Sequence, residues 1–182
     1  MRDRLRNGDG FMLVELLVAS VVLAVALLAL MAVYDSSFTS LHKAAQKTAA
    51  ATLAQNQLEL YSALSYADVG LDASSLTTAK ADSTYAADES SLTPSGGSDV
   101  TLASACSETQ CLPIQTLTGN DHRSYTVETF IRDVDGLGYS GRPERLVTLI
   151  VRDPSSTGTP IVAQQSSAYD EGPDTTTVTV QS

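Results

Sequence analysis

Glu15 is the only acidic or basic residue in an apolar run of 24 residues that extends from Phe11 to Tyr34. A charged side chain at the centre of a bilayer costs about 2.5–3.5 kcal/mol on membrane-insertion scales, so a carboxylate here is expected to have a function. Opposite charges in a dry environment recover much of their desolvation cost only when they are paired. The chemistry that Glu15 offers is therefore charge pairing with a positive group from elsewhere.

Cys106 and Cys111 are the only cysteines of the chain, and they bound the segment CSETQC. They lie in the part of the chain that the charge pattern below places outside the cytoplasm, where a disulfide is chemically allowed. A small disulfide loop is the favoured interpretation, although so short a loop gains only modest stability from chain entropy. The alternative is a metal site, which needs further ligands, and the chain offers only His42 and His122.

The segment DVDGLGYSGRPE (133–144) partly matches a calcium-binding loop. Asp133, Asp135, Gly138 and Glu144 occupy positions 1, 3, 6 and 12 of that motif. Position 5 is Leu137 instead of Asp or Asn, and the flanking residues have the pattern of strands instead of helices. The favoured interpretation is a glycine-rich hairpin with solvated charges, and calcium binding is the alternative.

No catalytic motif is found in the sequence, which has no nucleophile elbow, phosphate-binding loop, Ser-His-Asp set or histidine pair at metal-ligand spacing. We therefore expect no enzymatic activity and, calcium apart, no cofactor. The 182 residues carry 11 basic and 21 acidic side chains, a net charge of −10. Because few basic groups are available to neutralise phosphates, we expect no binding to nucleic acid. The acidic excess suits a solvated, secreted surface.

A long helix is the first element that must position these residues. As a helix, residues 11–34 would extend about 36 Å, enough to cross a hydrocarbon core of about 30 Å. Arg2, Arg4 and Arg6 precede it, so the positive-inside rule places the N-terminus in the cytoplasm and the rest of the chain outside. The helix is predicted to continue to a stop at Gly70, with an apolar stripe formed by Phe38, Leu41, Ala45, Ala49, Leu53, Leu60 and Leu64.

A polar segment over 70–104 is predicted to be an exposed loop with one short helix near 74–80. The apolar period then changes to two, which predicts strands at 124–134, 144–153, 159–169 and 175–181. Consecutive strands with short links favour an antiparallel meander. Because so small a sheet needs a partner, the striped half of the helix is expected to pack on it, giving an α+β fold.

The N-terminal order is a basic leader, Gly10, Phe11, three apolar residues, Glu15 and about 19 uncharged residues. This order resembles the class III signal peptide of type IV pilins and type II secretion pseudopilins. Within that family the segment AAATLAQNQLELYSAL (49–64) looks most like V-type minor pilins or I-type minor pseudopilins. The resemblance implies a pilin-like fold with four parts: a leader (1–10), a transmembrane and filament-core helix (11–34), its amphipathic continuation (35–68) and an exported β domain (69–182).

The resemblance further implies that prepilin peptidase cuts after Gly10 and that the new N-terminal Phe11 is methylated. The amine freed on Phe11 could then pair with Glu15 of a neighbouring subunit and fix the stagger between them. The implied partners are other pilin subunits, the peptidase, an inner-membrane assembly platform and membrane lipid. The precursor would be a single-pass protein of the inner membrane with a cytoplasmic N-terminus, and the mature protein would enter a cell-surface or periplasmic filament.

The function expected from these residues is that of a structural subunit, most consistent with a minor pilin of a tip or initiation complex. The alternatives are a major shaft pilin, a type II secretion pseudopilin, or a membrane-anchored extracellular binding module. Two simpler interpretations of the apolar run also exist: a permanent anchor, and a secretory signal cut near AVA (24–26). Such a signal would contain Glu15 in its apolar region, and a plain anchor requires neither Gly10-Phe11 nor Glu15.

Overall fold

The computed structural model describes residues 9–92, 97–134, 143–155, 160–170 and 177–179, with the backbone alone for 9–12 and 177–179. The chain divides into two compact units, Met1–Ala44 and Ala45–Ser182. The described helices are α1 (Asp9–Ser62), α2 (Ala73–Lys80) and α3 (Ser83–Ser91), with short 3-10 turns at Tyr66–Asp68 and Thr109–Cys111. The described strands are β1 (Ser98–Asp99), β2 (Ile114–Thr118), β3 (Ser124–Asp133), β4 (Glu144–Arg152), β5 (Ile161–Asp170) and β6 (Thr177–Thr179).

The long N-terminal helix is confirmed, but it ends at Ser62 and not near Gly70. Tight i→i+3 hydrogen bonds follow the last turn, from the Ala63 amide to the Leu60 carbonyl and onward. Gly70 has a different role. A Cβ there would lie 3.0 Å from the Leu102 side chain, so the missing side chain lets the chain pass close to Leu102, next to a parallel bridge between Leu71 and Thr101.

The segment predicted as an exposed loop is largely helical. The short helix expected near 74–80 is α2, but α3 was not expected. Each helix begins after an aspartate that caps it: the Asp72 carboxylate accepts from the Ser75 amide, and the Asp82 carboxylate accepts from the amides of Thr84 and Tyr85. The prediction of a loop failed because these aspartates are N-caps and not merely loop residues.

The four predicted strands correspond to β3, β4, β5 and β6, and their antiparallel meander is confirmed. The strands β1 and β2 were not predicted. Both pair antiparallel with the same edge of β3, β2 along residues 124–128 and β1 at 132–133. The sheet formed by the described strands is therefore five strands wide, with two short strands sharing one edge.

The second half of α1 packs on one face of this sheet, as expected. That face consists of alternate residues of β3, from Tyr125 to Ile131, and of β4, from Val147 to Val151. The Tyr169 hydroxyl on β5 donates to the Leu58 carbonyl on α1 at 2.8 Å. The fold class is therefore α+β, with a long helix on an antiparallel sheet.

The predicted apolar stripe of α1 is only partly correct. Phe38 and Leu41 are 59% and 64% exposed, and Leu60 is 45% exposed. The side chains that the helix buries are Ala49, Ala50, Ala54, Gln57, Leu58 and Tyr61. Ala49 of the stripe is buried, and Leu53 and Leu64 are partly buried. The stripe omitted the other buried residues, which include two small alanines and one amide, because it followed the larger apolar residues after Ala49.

The opposite face of the sheet is covered by α3, which gives this unit a third layer. The rings of Tyr85 and Phe130 stack with their centroids 4.3 Å apart. The Tyr85 hydroxyl donates to the Thr129 carbonyl at 2.8 Å. Because both faces are covered, β3 is buried on both sides and its polar residues Glu128 and Arg132 are buried too.

Candidate functional site

The first half of α1 exposes its apolar side chains. Every Leu, Val and Met from Leu13 to Val33 is between 51% and 73% exposed. A helix normally buries a stripe of such residues, and one that is apolar all round needs a nonpolar environment on every side. This is a helix that is long and apolar enough to span a membrane, and the span from Leu13 to Tyr34 is about 33 Å long at 1.5 Å per residue.

Polar groups within this half of the helix are compatible with such an environment. The Ser20 hydroxyl donates to the Leu17 carbonyl at 2.8 Å, and the Ser37 hydroxyl donates to the Val33 carbonyl at 2.9 Å. Hydroxyls that bond to the preceding turn need no partner from solvent. Glu15 differs, since a carboxylate cannot donate to a carbonyl of its own helix.

Glu15 lies on one face of α1, in a shallow open groove along the helix surface. The groove is lined by Val14, Glu15, Val18, Ala19, Val22, Leu23 and Ala26. Ala19, Val22 and Ala26 lie on the same face of the helix as Glu15, at steps of four, three and four residues. Two of the three are alanines, whose short side chains project little from the helix beside the carboxylate. The arrangement allows another helix to approach Glu15 closely.

Gly10 and Phe11 lie within the first turns of α1. The side chain of Phe11, and residues 1–8, lie outside what the structure describes. The proposed cleavage after Gly10, the methylation of Phe11 and the charge pair with Glu15 therefore stay predictions. The geometry adds that Phe11 and Glu15 are one helical turn apart, four residues along a continuous helix.

Cys106 and Cys111 form the predicted disulfide, with Cα atoms 5.9 Å apart. The loop that they close connects several elements. The Tyr61 hydroxyl near the end of α1 donates to the Gln110 carbonyl at 2.6 Å, and the Asp72 amide donates to the Cys111 carbonyl at 2.9 Å. The disulfide loop therefore ties the end of α1 to the start of α2 and leads into the sheet.

Asp72 is the polar centre of this region. Its carboxylate accepts hydrogen bonds from the Ser74 hydroxyl at 2.6 Å, the Ser75 amide at 2.8 Å and the Cys106 amide at 3.2 Å. These bonds, the one from Ser74 foremost, hold the pKa of the Asp72 carboxyl well below its usual range. The arrangement is structural, because every bond joins parts of the same unit.

The segment considered for calcium lies at the connection between β3 and β4. Asp133 is the last residue of β3 and Glu144 the first of β4, and the Val134 amide donates to the Glu144 carbonyl at 2.9 Å. Asp135 and Gly138 lie outside the described residues. The strands on both sides agree with the hairpin interpretation, and calcium binding stays an untested alternative. In the described ranges, no three His, Cys, Asp or Glu side chains are grouped to hold a metal ion.

A buried charge cluster under α3 was missed in the sequence. Arg152 on β4 donates from Nε to Asp88 Oδ2 at 3.0 Å and contacts both carboxylate oxygens through Nη2. Glu128 on β3 lies beside them, with Oε1 3.7 Å from the Arg152 Nε. Asp88 lies in the segment that was predicted to be an exposed loop. The period of two in the strand that contains Glu128 was the available signal, since it gives the strand a second face, but nothing in the sequence indicated that a helix covers that face.

Comparison of the chain with protein-family models, with curated proteins and with solved structures gives no match.

Proposed function

We propose that the chain is a structural subunit of a type IV pilus or a related filament, most consistent with a minor pilin, and that prepilin peptidase processes it after Gly10. The observation that carries the proposal is Glu15, a single carboxylate on the otherwise apolar and exposed first half of α1, four residues after the residue that cleavage would make N-terminal. The resemblance of the leader and the α+β fold with a long helix on a sheet are consistent with it.

The exposed apolar surface is consistent with both stages of the proposed function, the membrane-inserted precursor and the assembled filament. Burial of one Leu or Val side chain is worth about 1.5–3 kcal/mol, so the first half of α1 must leave water. Lipid satisfies this requirement in the single-pass precursor, where the inner membrane would hold the chain before assembly. Packed helices of other subunits satisfy it in the filament.

Glu15 distinguishes these two environments. In lipid, a carboxylate near the end of the span can lie close to the headgroups, where its charge is tolerated. In a bundle of helices the same carboxylate is excluded from water, and a buried charge without a partner of opposite charge is strongly unfavourable. The methylated amine of Phe11 from a neighbouring subunit would supply the compensating charge. Only one stagger between subunits places that amine next to Glu15, so the pair selects the register of assembly.

The proposed partners follow from this mechanism: other pilin subunits along α1, the peptidase at the leader and an inner-membrane assembly platform. A plain membrane-anchored binding module is the alternative, and it would not require Glu15. Replacement of Glu15 therefore separates the two functions.

The test measures how much of each variant is found in the membrane fraction and how much in the sheared filament fraction. We expect Glu15→Ala to insert into the membrane at the wild-type level and to be at least tenfold depleted in filaments, since tenfold corresponds to about 1.4 kcal/mol of lost pairing. Glu15→Asp retains the charge and should be less depleted. Asp35→Asn, a carboxylate change further along the same helix, is the matched control and should assemble normally. Equal incorporation of Glu15→Ala and wild type would refute the proposed role of Glu15.

A further inference from the structure

We propose that Glu128, Asp88 and Arg152 form a proton-dependent latch that keeps α3 on the sheet in neutral and acidic solution and releases it in alkaline solution. The inference concerns the second unit alone, and it does not depend on the proposed filament function. It rests on the geometry of the three side chains and on how α3 is attached.

The cluster joins three elements. Asp88 belongs to α3, Arg152 to β4 and Glu128 to β3, and the side chains of the three are only 9%, 12% and 4% exposed. Arg152 donates to both carboxylate oxygens of Asp88, which is the strong, bidentate form of this ion pair. Glu128 has the poorer geometry, 3.7 Å from the Arg152 Nε. Asp88 is therefore the carboxylate whose negative charge the Arg152 guanidinium chiefly neutralises.

Two carboxylates share one guanidinium in this cluster. If both were ionised, a net negative charge would remain on side chains that are at most 12% exposed, which is unfavourable. The Glu128 Oε2 is buried and has no hydrogen-bond partner among the described residues. A proton on Glu128 removes the excess charge and gives this carboxyl a donor. The neutral form of Glu128 is thus the one that the folded unit favours.

The remaining groups around Glu128 do not change this preference for its neutral form. Asp82, the N-cap of α3, and Tyr85 of α3 face it, and Ile114, its register partner on β2, is apolar. Arg132 lies on the same face of β3, four residues further along. Burial, followed by the contact with Asp88, raises the pKa of Glu128 to about 8.

The attachment of α3 depends on this cluster. A helix of nine residues is marginal by itself, and α3 contacts the sheet chiefly through Tyr85 on Phe130 and Asp88 on Arg152. An open cleft of about 150 Å³ beside Glu128 gives solvent a route to the cluster. Its lining includes Asp82, the N-cap of α3, together with Thr84 of α3 and Thr126 of β3. Loss of the Glu128 proton therefore acts where α3 meets the sheet.

The sign of the pH dependence follows from linkage. The attached state holds the proton on Glu128 up to about pH 8, whereas a released, solvated carboxyl loses it above about pH 4.3. Between these values the attached state binds more protons, so attachment weakens as the pH rises, by up to about tenfold per pH unit. Below the lower value the contribution is fully present, and above the upper value it is fully lost.

Amide hydrogen exchange of the full-length chain in detergent micelles tests the latch. Exchange of the α3 peptide (83–91) is compared at pH 6 and pH 9 after correction for the intrinsic pH dependence of exchange. We expect the protection of α3 to fall by one to two orders of magnitude at pH 9, while β3 and β4 remain protected. Glu128→Gln, which stays neutral at both values, should keep the same protection of α3 at pH 6 and pH 9.

Two further variants complete the test. Asp88→Asn leaves Arg152 to Glu128, so Glu128 can ionise without excess charge and the pH response of α3 should disappear. Glu89→Gln changes a carboxylate of α3 that pairs with Lys80 outside the cluster, and it should keep the wild-type response. Unchanged protection of wild-type α3 between pH 6 and pH 9 would overturn the proposal, and so would an equal loss of protection in Glu128→Gln or Asp88→Asn.

Discussion

The first half of α1 and the centre of strand β4 (146–151) are both rich in large aliphatic residues, and they have opposite environments. From Leu13 to Val33 every large aliphatic side chain is at least 51% exposed, whereas the residues from Val147 to Val151 are at most 2% exposed. The strand is covered by α1 on one face and by the α3 layer on the other, so the side chains on both of its faces are buried within the second unit. The helix is apolar all round, and it must find its nonpolar environment in lipid or in other helices. The two regions therefore differ in where their apolar side chains lie: those of β4 are buried within their own unit, and those of the first half of α1 are exposed.

The largest expected effect comes from the same substitution made in each of the two units of the chain, on the same helix. Leu58→Ala removes a side chain that is 8% exposed on the face of α1 against the sheet, and it should lower the free energy of unfolding by about 2–5 kcal/mol. Leu41→Ala removes a side chain that is 64% exposed, and it should change that free energy by less than about 0.5 kcal/mol. Denaturant titration of the two variants in detergent, followed by tyrosine fluorescence, makes the comparison.

Equal destabilisation by the two substitutions would show that the part of α1 before Ala45 takes part in the fold of the second unit. The contrast between the buried second unit and the exposed helix would then be wrong.

A smaller effect is expected when the disulfide is removed. Cys106→Ser with Cys111→Ser opens a loop of six residues, and the chain-entropy relation gives a loss of about 2 kcal/mol. The loss should appear in the thermal midpoint of the second unit, and membrane insertion of α1 should be unchanged. A double variant with the wild-type midpoint would mean that the loop is held by its hydrogen bonds to Tyr61 and Asp72 alone.

The smallest effect is expected for the stability of the folded chain at acidic pH when Asp72 is replaced. Its hydrogen bonds lower the pKa of the carboxyl in the folded state, so its contribution to stability is present above the ordinary value near 3.8 and is lost as the pH falls towards the lowered value. Asp72→Asn should therefore be less stable than wild type at pH 6, and the difference should shrink between pH 4 and pH 2. Circular dichroism over this range measures it, with Glu108→Gln, an exposed carboxylate of the disulfide loop, as the control. A difference that is constant with pH would exclude this charge-dependent role.

The sequence predicted the long helix and the meander because their signals are local. A continuous apolar run and a period of two are visible without knowledge of neighbours. The second helical layer was not predictable in this way. The segment STYAADESS of α3 is polar, and it is helical because Asp82 caps it and Tyr85 packs on the sheet.

Strand β1 shows the same dependence on distant residues. It has only two residues, and it follows Gly97, whose φ of +94° and missing side chain allow close passage of the Asp133 carbonyl. A Cβ at Gly97 would lie 2.4 Å from that oxygen. The buried cluster of Glu128, Asp88 and Arg152 was equally hidden, since its members come from three elements and only the sheet and α3 together bring them into contact.

The identity of the N-terminal residue in the mature protein tests the central claim most directly. Protein recovered from the filament fraction is subjected to N-terminal sequencing and intact-mass measurement. We expect a chain that begins at Phe11, carries a methyl group on its amine and retains Glu15. A chain in that fraction that begins at Met1 would indicate a permanent anchor, and one that begins after residue 26 would indicate a secretory signal. Either result would contradict the proposed processing and the charge pair that depends on it.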